Sequence, residues 1–158
     1  MDRRDLIKSA LWGGALLVFG QGQALAAIKN PTQVDEKLWR GINTAADPAN
    51  PVGLEKLHSP VITAPGKVKA GEVFPVEVAV GQTPHPMGPK HWIEYLQFNI
   101  GNEPAEEISF RSYGWVKAAG TFHAVLDEPL KGKTISLVVQ LKCNLHGLWQ
   151  NSVDVMVA

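Results

Sequence analysis

From Ser59 to its last residue the sequence consists of short β-rich runs separated by glycine and proline. Within these runs apolar residues tend to alternate with polar ones, which is the period of a strand with one buried face. The runs are EVFPVEVAVG (72–81), HWIEYLQFNI (91–100), GTFHAVLDE (120–128), KTISLVVQLK (133–142) and NSVDVMVA (151–158). Several short strands with no helical pattern between them are typical of two packed sheets. The sequence therefore predicts an all-β fold, a β-sandwich over residues 55–158.

The net charge and the cysteine content exclude some functions and one means of stabilising the fold. The 158 residues include 15 Lys and Arg against 15 Asp and Glu, so the formal net charge is zero. Nucleic-acid binding is not expected, because it needs several basic side chains on one surface. Cys143 is the single cysteine of the sequence, which excludes an intrachain disulfide. The core must then be stabilised by apolar burial, by a metal, or by both.

The first 26 residues have the pattern of an export signal. They begin with a basic stretch that includes Arg3 and Arg4, continue in an uncharged apolar run over 10–19, and end in a small-x-small sequence at 24–26. The string RRDLIK resembles the twin-arginine signal, whose substrates cross the membrane already folded, often with a cofactor inserted. Two glutamines follow the apolar run, so we expect cleavage and a periplasmic protein with no stable membrane anchor.

Residues 27–54 form an N-terminal extension of mixed pattern. Apolar residues recur there at roughly helical spacing, and Thr32 is suited to cap a helix that they would form. These apolar residues are Val34, Leu38, Trp39 and Ile42. The sequence ADPANPVG (46–53) that follows is typical of a loop. We therefore predict a short helix followed by a loop before the β-rich region.

Two short motifs carry residues that bind metals. Cys143 and His146 lie three residues apart in CNLHGLW, on the turn between the last two predicted strands. His85 and His91 lie six residues apart in a segment with three prolines and one glycine. The prolines restrict the backbone and lower the entropy cost of presenting both imidazoles to one centre. Together with His58, which precedes the β-rich region, these residues are candidate ligands of a single ion.

The fifth histidine, His123, lies within the apolar run GTFHAVLDE. A single histidine in a β-domain is more often a satisfied polar residue than a metal ligand. We therefore expect a structural role for His123 and no part in metal binding.

The metal-binding motifs resemble those of a known family. HPMGPKHWIEYLQF (85–98) and CNLHGLWQNS (143–152) are similar to segments of the superoxide reductases, the neelaredoxin and desulfoferrodoxin iron proteins, and EKLHSPVI (55–62) is similar to a third segment. The resemblance implies an immunoglobulin-like sandwich with one iron per chain, as Fe(2+) or Fe(3+), which reduces superoxide to hydrogen peroxide. The implied ligands are four equatorial imidazoles and an axial thiolate: His58, His85, His91, His146 and Cys143. A single cysteine excludes the rubredoxin-type domain that desulfoferrodoxins add, so the resemblance is to the one-iron type.

The resemblance departs from the family pattern beside the first ligand. Family members have Glu and Lys two and one residues before that histidine; the Glu can bind resting ferric iron, and the Lys attracts superoxide and assists its protonation. Here Leu57 is inserted, so Glu55 and Lys56 lie three and two residues before His58. On an extended chain this shift points both side chains to the opposite faces, so either the loop bulges and restores both groups or their roles are altered. Glu55 and Lys56 are the implied catalytic residues, and Lys90, beside another ligand, is a further candidate cation.

Two other functions fit parts of the pattern. A blue-copper electron carrier also has Cys-x-x-His near the end of a β-sandwich, but such a site needs two His, one Cys and an axial Met. Met156 follows the motif too late for that role. A non-catalytic iron-binding or interaction domain would keep the ligands and lack turnover. Metal analysis separates copper from iron, and a superoxide assay separates an enzyme from a binding protein.

Partners are implied by the resemblance and by the predicted location. Superoxide is the expected substrate. The electron donor is expected to be rubredoxin-like, as in cytoplasmic relatives, or a cytochrome on the periplasmic side. One-iron relatives suggest a homo-oligomer, either a dimer or a tetramer.

Overall fold

The computed structural model describes residues 35–111 and 116–158, which form two β-sheets with a core between them. The elements are β1 (Ile42–Asn43), α1 (Glu55–His58), β2 (Pro60–Thr63), β3 (Lys67–Val68), β4 (Val73–Val80), β5 (Ile93–Ile100), β6 (Glu103–Ser109), β7 (Ala119–Val125), a 3-10 turn (Glu128–Leu130), β8 (Thr134–Cys143) and β9 (Gly147–Val157). The larger sheet has the order β1-β9-β8-β5-β6, with β3 also beside β9, and the smaller has the order β2-β4-β7. The predicted all-β sandwich is confirmed. No helix in the described ranges is long and apolar enough to span a membrane.

The core is built from one face of each sheet. In β4 every second residue from Phe74 to Val80 is buried, as the alternating pattern predicts. The two sheets meet where Phe122 of β7 stacks on Phe98 of β5, with ring centroids 5.0 Å apart and planes 17° apart. Both phenylalanines are 2% exposed or less. This aromatic pair joins the smaller sheet to the larger one.

β5 contains an irregularity that determines which of its side chains are buried. Its pairing with β8 shifts register between Ile93 and Tyr95. A bulge re-aims the side chains on either side of it. For this reason Ile93, Leu96 and Phe98 are all buried, although the first two are an odd number of residues apart. The bulge follows His91 closely, so it lies beside one of the metal-binding motifs.

β8 and β9 form a long hairpin that ends with Cys143 opposite Gly147. Three residues, 144–146, connect the two strands. Gly147 has φ 71°, a left-handed conformation that favours glycine, and a Cβ at this position would collide with the carbonyl oxygen of Leu38. The glycine therefore allows both the tight turn and the close approach of the N-terminal extension.

The helix predicted in the N-terminal extension is wrong for the described part of that segment. The chain makes a turn, in which the Leu38 N–H donates to the Asp35 carbonyl oxygen at 3.0 Å, and continues into β1. β1 pairs in parallel with β9, and the Asn43 side chain donates to the carbonyl oxygens of Leu38 and Leu148 at 2.8 and 2.7 Å. Helical spacing of a few apolar residues is a weak signal that such tertiary pairing overrides. Residues 1–34, which include the predicted export signal and helix cap, lie outside the described residues.

Sequence patterns also missed β6. This strand pairs with β5, yet most of its side chains are exposed and several are acidic. It is the edge of the larger sheet, where charged residues discourage pairing with another chain. An exposed, charged edge strand lacks the alternation that identifies a half-buried one, so its sequence resembles a loop.

Adjacent residues of β7 provide a test of the packing. Phe122→Ala removes one ring of the pair that joins the sheets, and we expect the free energy of unfolding to fall by roughly 3–5 kcal/mol. His123 is exposed on the other face of β7, so His123→Ala should change the free energy of unfolding by less than about 0.5 kcal/mol. Urea unfolding followed by tryptophan fluorescence measures both changes. Equal losses for the two variants would contradict the assigned core.

Candidate metal centre

The predicted ligands meet at one end of the sandwich, where β4 and β8 end and β5 and β9 begin. His58 is the last residue of α1, His85 and His91 lie in the loop between β4 and β5, and Cys143 and His146 lie at the turn between β8 and β9. Antiparallel pairing of β5 with β8 brings these loops to the same edge. The structure therefore brings together all five residues that the sequence indicates as ligands.

The four imidazole rings form a closed cycle. Ring centroids are 4.7 Å apart for His58 and His85, 4.4 Å for His85 and His91, 4.9 Å for His91 and His146, and 4.6 Å for His146 and His58. The planes within each of these pairs make angles between 72° and 76°. The diagonal pair, His58 and His91, is 5.9 Å apart. Four similar sides and a longer diagonal place the rings around one common centre.

The sulfur of Cys143 lies against two of these rings. Its Sγ is 3.2 Å from His91 Nε2 and 3.5 Å from His146 Nδ1. The residue is fully buried, and this burial raises the pKa of the thiol. The backbone N–H groups of Leu145 and His146 donate hydrogen bonds to the sulfur, which favour the thiolate and oppose the effect of burial. A metal that binds this sulfur displaces its proton.

Hydrogen bonds to backbone carbonyls determine which ring nitrogens face the centre. Nδ1 of His58 lies 2.8 Å from the carbonyl oxygen of Leu54, and Nδ1 of His85 lies 2.6 Å from that of Pro86. A carbonyl oxygen only accepts, so each Nδ1 must carry the proton and each Nε2 must present a lone pair. The two Nε2 atoms nevertheless lie 3.1 Å apart. Two buried lone pairs at this distance repel each other, and a cation between them removes the repulsion.

The distances between donor atoms fit a single ion. Metal–nitrogen bonds of about 2.1 Å at right angles place neighbouring nitrogens about 3.0 Å apart. His58 Nε2 is 3.1 Å from His85 Nε2 and 3.0 Å from His146 Nδ1. Donor atoms of His58, His85, His91 and Cys143 all lie within 4.8 Å of one another. Five donors exceed the four of a structural zinc site, and four imidazoles exceed the two of a blue-copper site, so the set matches neither of these.

Burial keeps the four imidazoles neutral near pH 7. Desolvation, with a smaller contribution from nearby imidazoles, lowers the pKa of His58 to about 4 and that of His85 to about 3. Burial also lowers the pKa of His91 and of His146. A neutral imidazole offers the lone pair that a metal requires. The protein environment therefore favours the metal-binding form of every ring.

Asn144 holds two of the ligand loops together, a role that sequence reasoning missed. Its Oδ1 accepts the backbone N–H of Trp92 at 2.9 Å, and its Nδ2 donates to the carbonyl oxygen of Lys90 at 3.0 Å. These bonds fix the backbone on both sides of His91 against the turn that follows Cys143. The signal in the sequence is an amide side chain next to a ligand cysteine, a residue type that often bonds to nearby backbone.

Trp149 covers His58. The two rings are stacked, with centroids 5.1 Å apart and planes 20° apart, and Trp149 is 3% exposed. Its indole N–H donates to the carbonyl oxygen of His146 at 2.9 Å. One side chain therefore packs on one ligand and fixes the backbone of another, and it limits the access of water to both.

Residues 55–58 form a helical turn, so the geometry of an extended chain does not apply to Glu55 and Lys56. The Glu55 carboxylate accepts the N–H groups of Ala46 at 3.2 Å and Val52 at 2.9 Å. Both bonds are to backbone that precedes α1, whose N-cap, Leu54, has no side-chain cap hydrogen bond. Glu55 is thus engaged with the preceding loop, whereas Lys56 and Lys90 are exposed. Their catalytic roles stay predictions.

The remaining histidine and the candidate copper ligand lie elsewhere. His123 is exposed on β7, opposite Pro75 of β4. Met156 pairs with Thr134, at the end of β9 remote from Gly147. The blue-copper alternative therefore lacks its axial methionine at this position.

Comparisons with known proteins agree with the geometry. The family model for desulfoferrodoxin matches residues 52–152. The superoxide reductase of Pyrococcus abyssi is 31% identical over 104 residues, which are 61% of this chain and 85% of that protein. The superoxide reductase of Thermococcus kodakarensis is 32% identical over 105 residues, which are 61% of this chain and 84% of that protein. The solved structure of the superoxide reductase (neelaredoxin) of Ignicoccus hospitalis is similar with a TM-score of 0.60 and 30% identity, covering 80% of this chain and all of that one.

Substitution of two glycines near the ligands tests which contacts keep the ligand loops in place. Gly81 has φ 70°, and a Cβ there would lie 2.5 Å from the Lys56 carbonyl oxygen and 2.7 Å from those of Leu57 and Thr83. Gly81→Ala should displace the turn that carries His58 and weaken iron binding at least about tenfold, as loss of a ligand-supporting contact does. Gly88→Ala is the control, because no atom lies within 4 Å of its Cβ. Competition with a chromophoric chelator measures the affinity, and equal affinities in both variants would contradict this support.

Proposed function

This chain belongs to the desulfoferrodoxin family, and on that basis we propose that it is a superoxide reductase. The observation that carries the proposal is the cycle of four neutral imidazoles with a buried cysteine sulfur against two of them. Support also comes from the relatives, which are named superoxide reductases and share about 30% of their residues with this chain. In a six-coordinate ion, five protein ligands leave one position for a small anion.

The proposed reaction adds one electron and two protons to superoxide and gives hydrogen peroxide. Iron held by the five side chains would supply the electron, changing from the ferrous to the ferric state. Neutral imidazoles and a single thiolate leave a divalent ion with a net positive charge. Buried surroundings screen that charge less than water does, so the site attracts an anionic substrate.

Each side chain has a separate task in this proposal. The carbonyl bonds of His58 and His85 hold their Nε2 atoms toward the centre. Cys143 contributes the negative charge and the electron density that favour electron release to a substrate. Trp149 and the buried packing around it exclude water, which protects the thiolate from other reactions.

Cys143→Ser tests this function directly. A ferric centre bound by a thiolate should absorb red light. A hydroxyl is a harder and less electron-rich ligand than a thiolate, so we expect this absorption band to disappear. The second-order rate with superoxide, measured by pulse radiolysis, should fall at least about tenfold. His123→Ala, which alters no ligand, should retain the band and the rate. If the parent protein binds iron and shows the band but does not react with superoxide, the non-catalytic alternative is correct.

A basic side chain near the open position is a further part of the proposal. Lys56 precedes His58 by two residues and Lys90 precedes His91 by one, and both lysines are exposed. A positive charge there would raise the rate of encounter with an anion, more strongly at low salt. We favour Lys56, because it belongs to the segment that resembles the family.

Single alanine substitutions distinguish these lysines. We expect Lys56→Ala to lower the second-order rate with superoxide and to flatten its dependence on ionic strength, while the ferric spectrum stays unchanged. Lys131→Ala is the control, because this exposed lysine lies beyond the 3-10 turn, near the end of β9 remote from the site. Pulse radiolysis over a range of salt measures all variants, including Lys90→Ala. If Lys56→Ala and Lys90→Ala both react with superoxide at the rate of the parent protein, neither lysine steers superoxide.

Location, donor and assembly complete the proposal. The RRDLIK sequence supports export of the folded, iron-loaded protein to the periplasm, so its electron donor would act there. A periplasmic cytochrome or a rubredoxin-like protein fits that requirement, and a homo-oligomer is proposed by analogy with one-iron relatives. Exchanging Arg3 and Arg4 together for lysine should leave an uncleaved, iron-loaded precursor inside the cell. Unchanged periplasmic accumulation on immunoblots of cell fractions would contradict the twin-arginine route.

A further inference from the structure

The N-terminal extension contacts the thiolate turn through one carbonyl group. The carbonyl oxygen of Leu145 accepts two hydrogen bonds, from the Asp35 backbone N–H and from the Trp39 indole N–H, each at 3.0 Å. Lys142 Nζ lies over the Trp39 ring, 4.9 Å from its centroid. The Trp39 side chain is 40% exposed. Both donors precede residue 52, where the match to the family model begins. This contact therefore joins a part of the chain outside that match to Leu145, which lies inside it.

The same peptide group faces the cysteine sulfur with its other end. The carbonyl of Leu145 and the N–H of His146 belong to one peptide unit, and that N–H donates to the sulfur of Cys143. Hydrogen bonds in a chain polarise one another, so bonds accepted by the oxygen strengthen the bond that the N–H donates. A continuous chain of hydrogen bonds thus runs from the Trp39 indole through one peptide group to the Cys143 sulfur.

We propose that Trp39 is a positioning residue that adjusts how strongly the Cys143 thiolate donates electrons to its metal, acting through the Leu145–His146 peptide. Hydrogen bonds to a ligating sulfur withdraw electron density from it and change the reduction potential of the site. With the indole bond present, the sulfur is the weaker donor. The inference rests on the proposed function only in requiring a metal at the five ligands, and its test does not use superoxide.

The chain of hydrogen bonds predicts in which direction a change at Trp39 alters the electron density on the sulfur. Trp39→Phe keeps an aromatic ring under Lys142 and removes the indole N–H. The Leu145 carbonyl then has one donor fewer, the His146 N–H becomes a weaker donor, and the sulfur becomes more electron-rich. A more electron-rich thiolate transfers charge to ferric iron at lower energy and holds the ferric state more firmly.

Two spectroscopic measurements and one redox measurement on the full chain test the proposal. In protein loaded with zinc alone, which is diamagnetic, the amide proton of His146 should move upfield in Trp39→Phe more than the amide protons of β8 do. In iron-loaded ferric protein the sulfur-to-iron band should move to longer wavelength, and the reduction potential should become more negative. Trp39→Tyr, which also lacks the indole N–H, should give the same shifts and provides a second variant if the first is unstable.

Asn43→Ala is the matched control. It removes a side chain that ties the extension to the carbonyl oxygens of Leu38 and Leu148 without touching the Leu145–His146 peptide. Asn43→Ala should lower stability without the three spectroscopic and redox changes. If it produces the same changes as Trp39→Phe, docking of the extension rather than the indole bond determines them, and the proposal is wrong. Parent-like spectra in folded, metal-loaded Trp39→Phe would also overturn it.

Discussion

Two imidazole lone pairs lie 3.1 Å apart at the buried end of this sandwich, on Nε2 of His58 and Nε2 of His85. Carbonyl groups of the chain itself create this arrangement, because they bind the Nδ1 proton of each ring. The low polarity of the site makes protonation of either ring costly, which is why the pKa of each is lowered. A metal cation is the partner that satisfies both lone pairs at once.

The fold supplies the supports that keep these groups in place. His58 ends a helical turn that packs on Gly81, where a side chain would collide with backbone oxygens. His91 is tied by Asn144 to the turn that follows the ligand cysteine. His58 and His91 therefore depend on contacts from other loops, and the antiparallel pairing of β5 with β8 aligns the loop of His91 with the turn that follows Cys143. No single loop contains the centre.

The sequence predicted the chemistry of the site better than its local backbone. Ligand types and their spacing in CNLHGLW and between His85 and His91 selected four of the five residues that the structure brings together, and His58 was selected by its place before the β-rich region and by the family resemblance. Alternation predicted the half-buried strands, such as β4, but not the charged edge strand β6 or the parallel pairing of β1 with β9. Those features depend on tertiary contacts that short-range patterns do not encode. For the same reason the sequence left the conformation at Glu55 open, and the structure shows a helical turn there, with the carboxylate bound to the N–H groups of Ala46 and Val52.

The central claim is that this site reduces superoxide and does not dismutate it. The most direct test mixes ferrous, iron-loaded protein with less than one equivalent of superoxide and measures the hydrogen peroxide and dioxygen produced. Reduction gives one hydrogen peroxide for each superoxide consumed, releases no dioxygen, and oxidises one iron for each superoxide. Dismutation gives half as much hydrogen peroxide together with an equal amount of dioxygen and leaves the iron ferrous. A ratio of one with ferric product is the result expected here, and a ratio of one half with dioxygen release would contradict the proposed function.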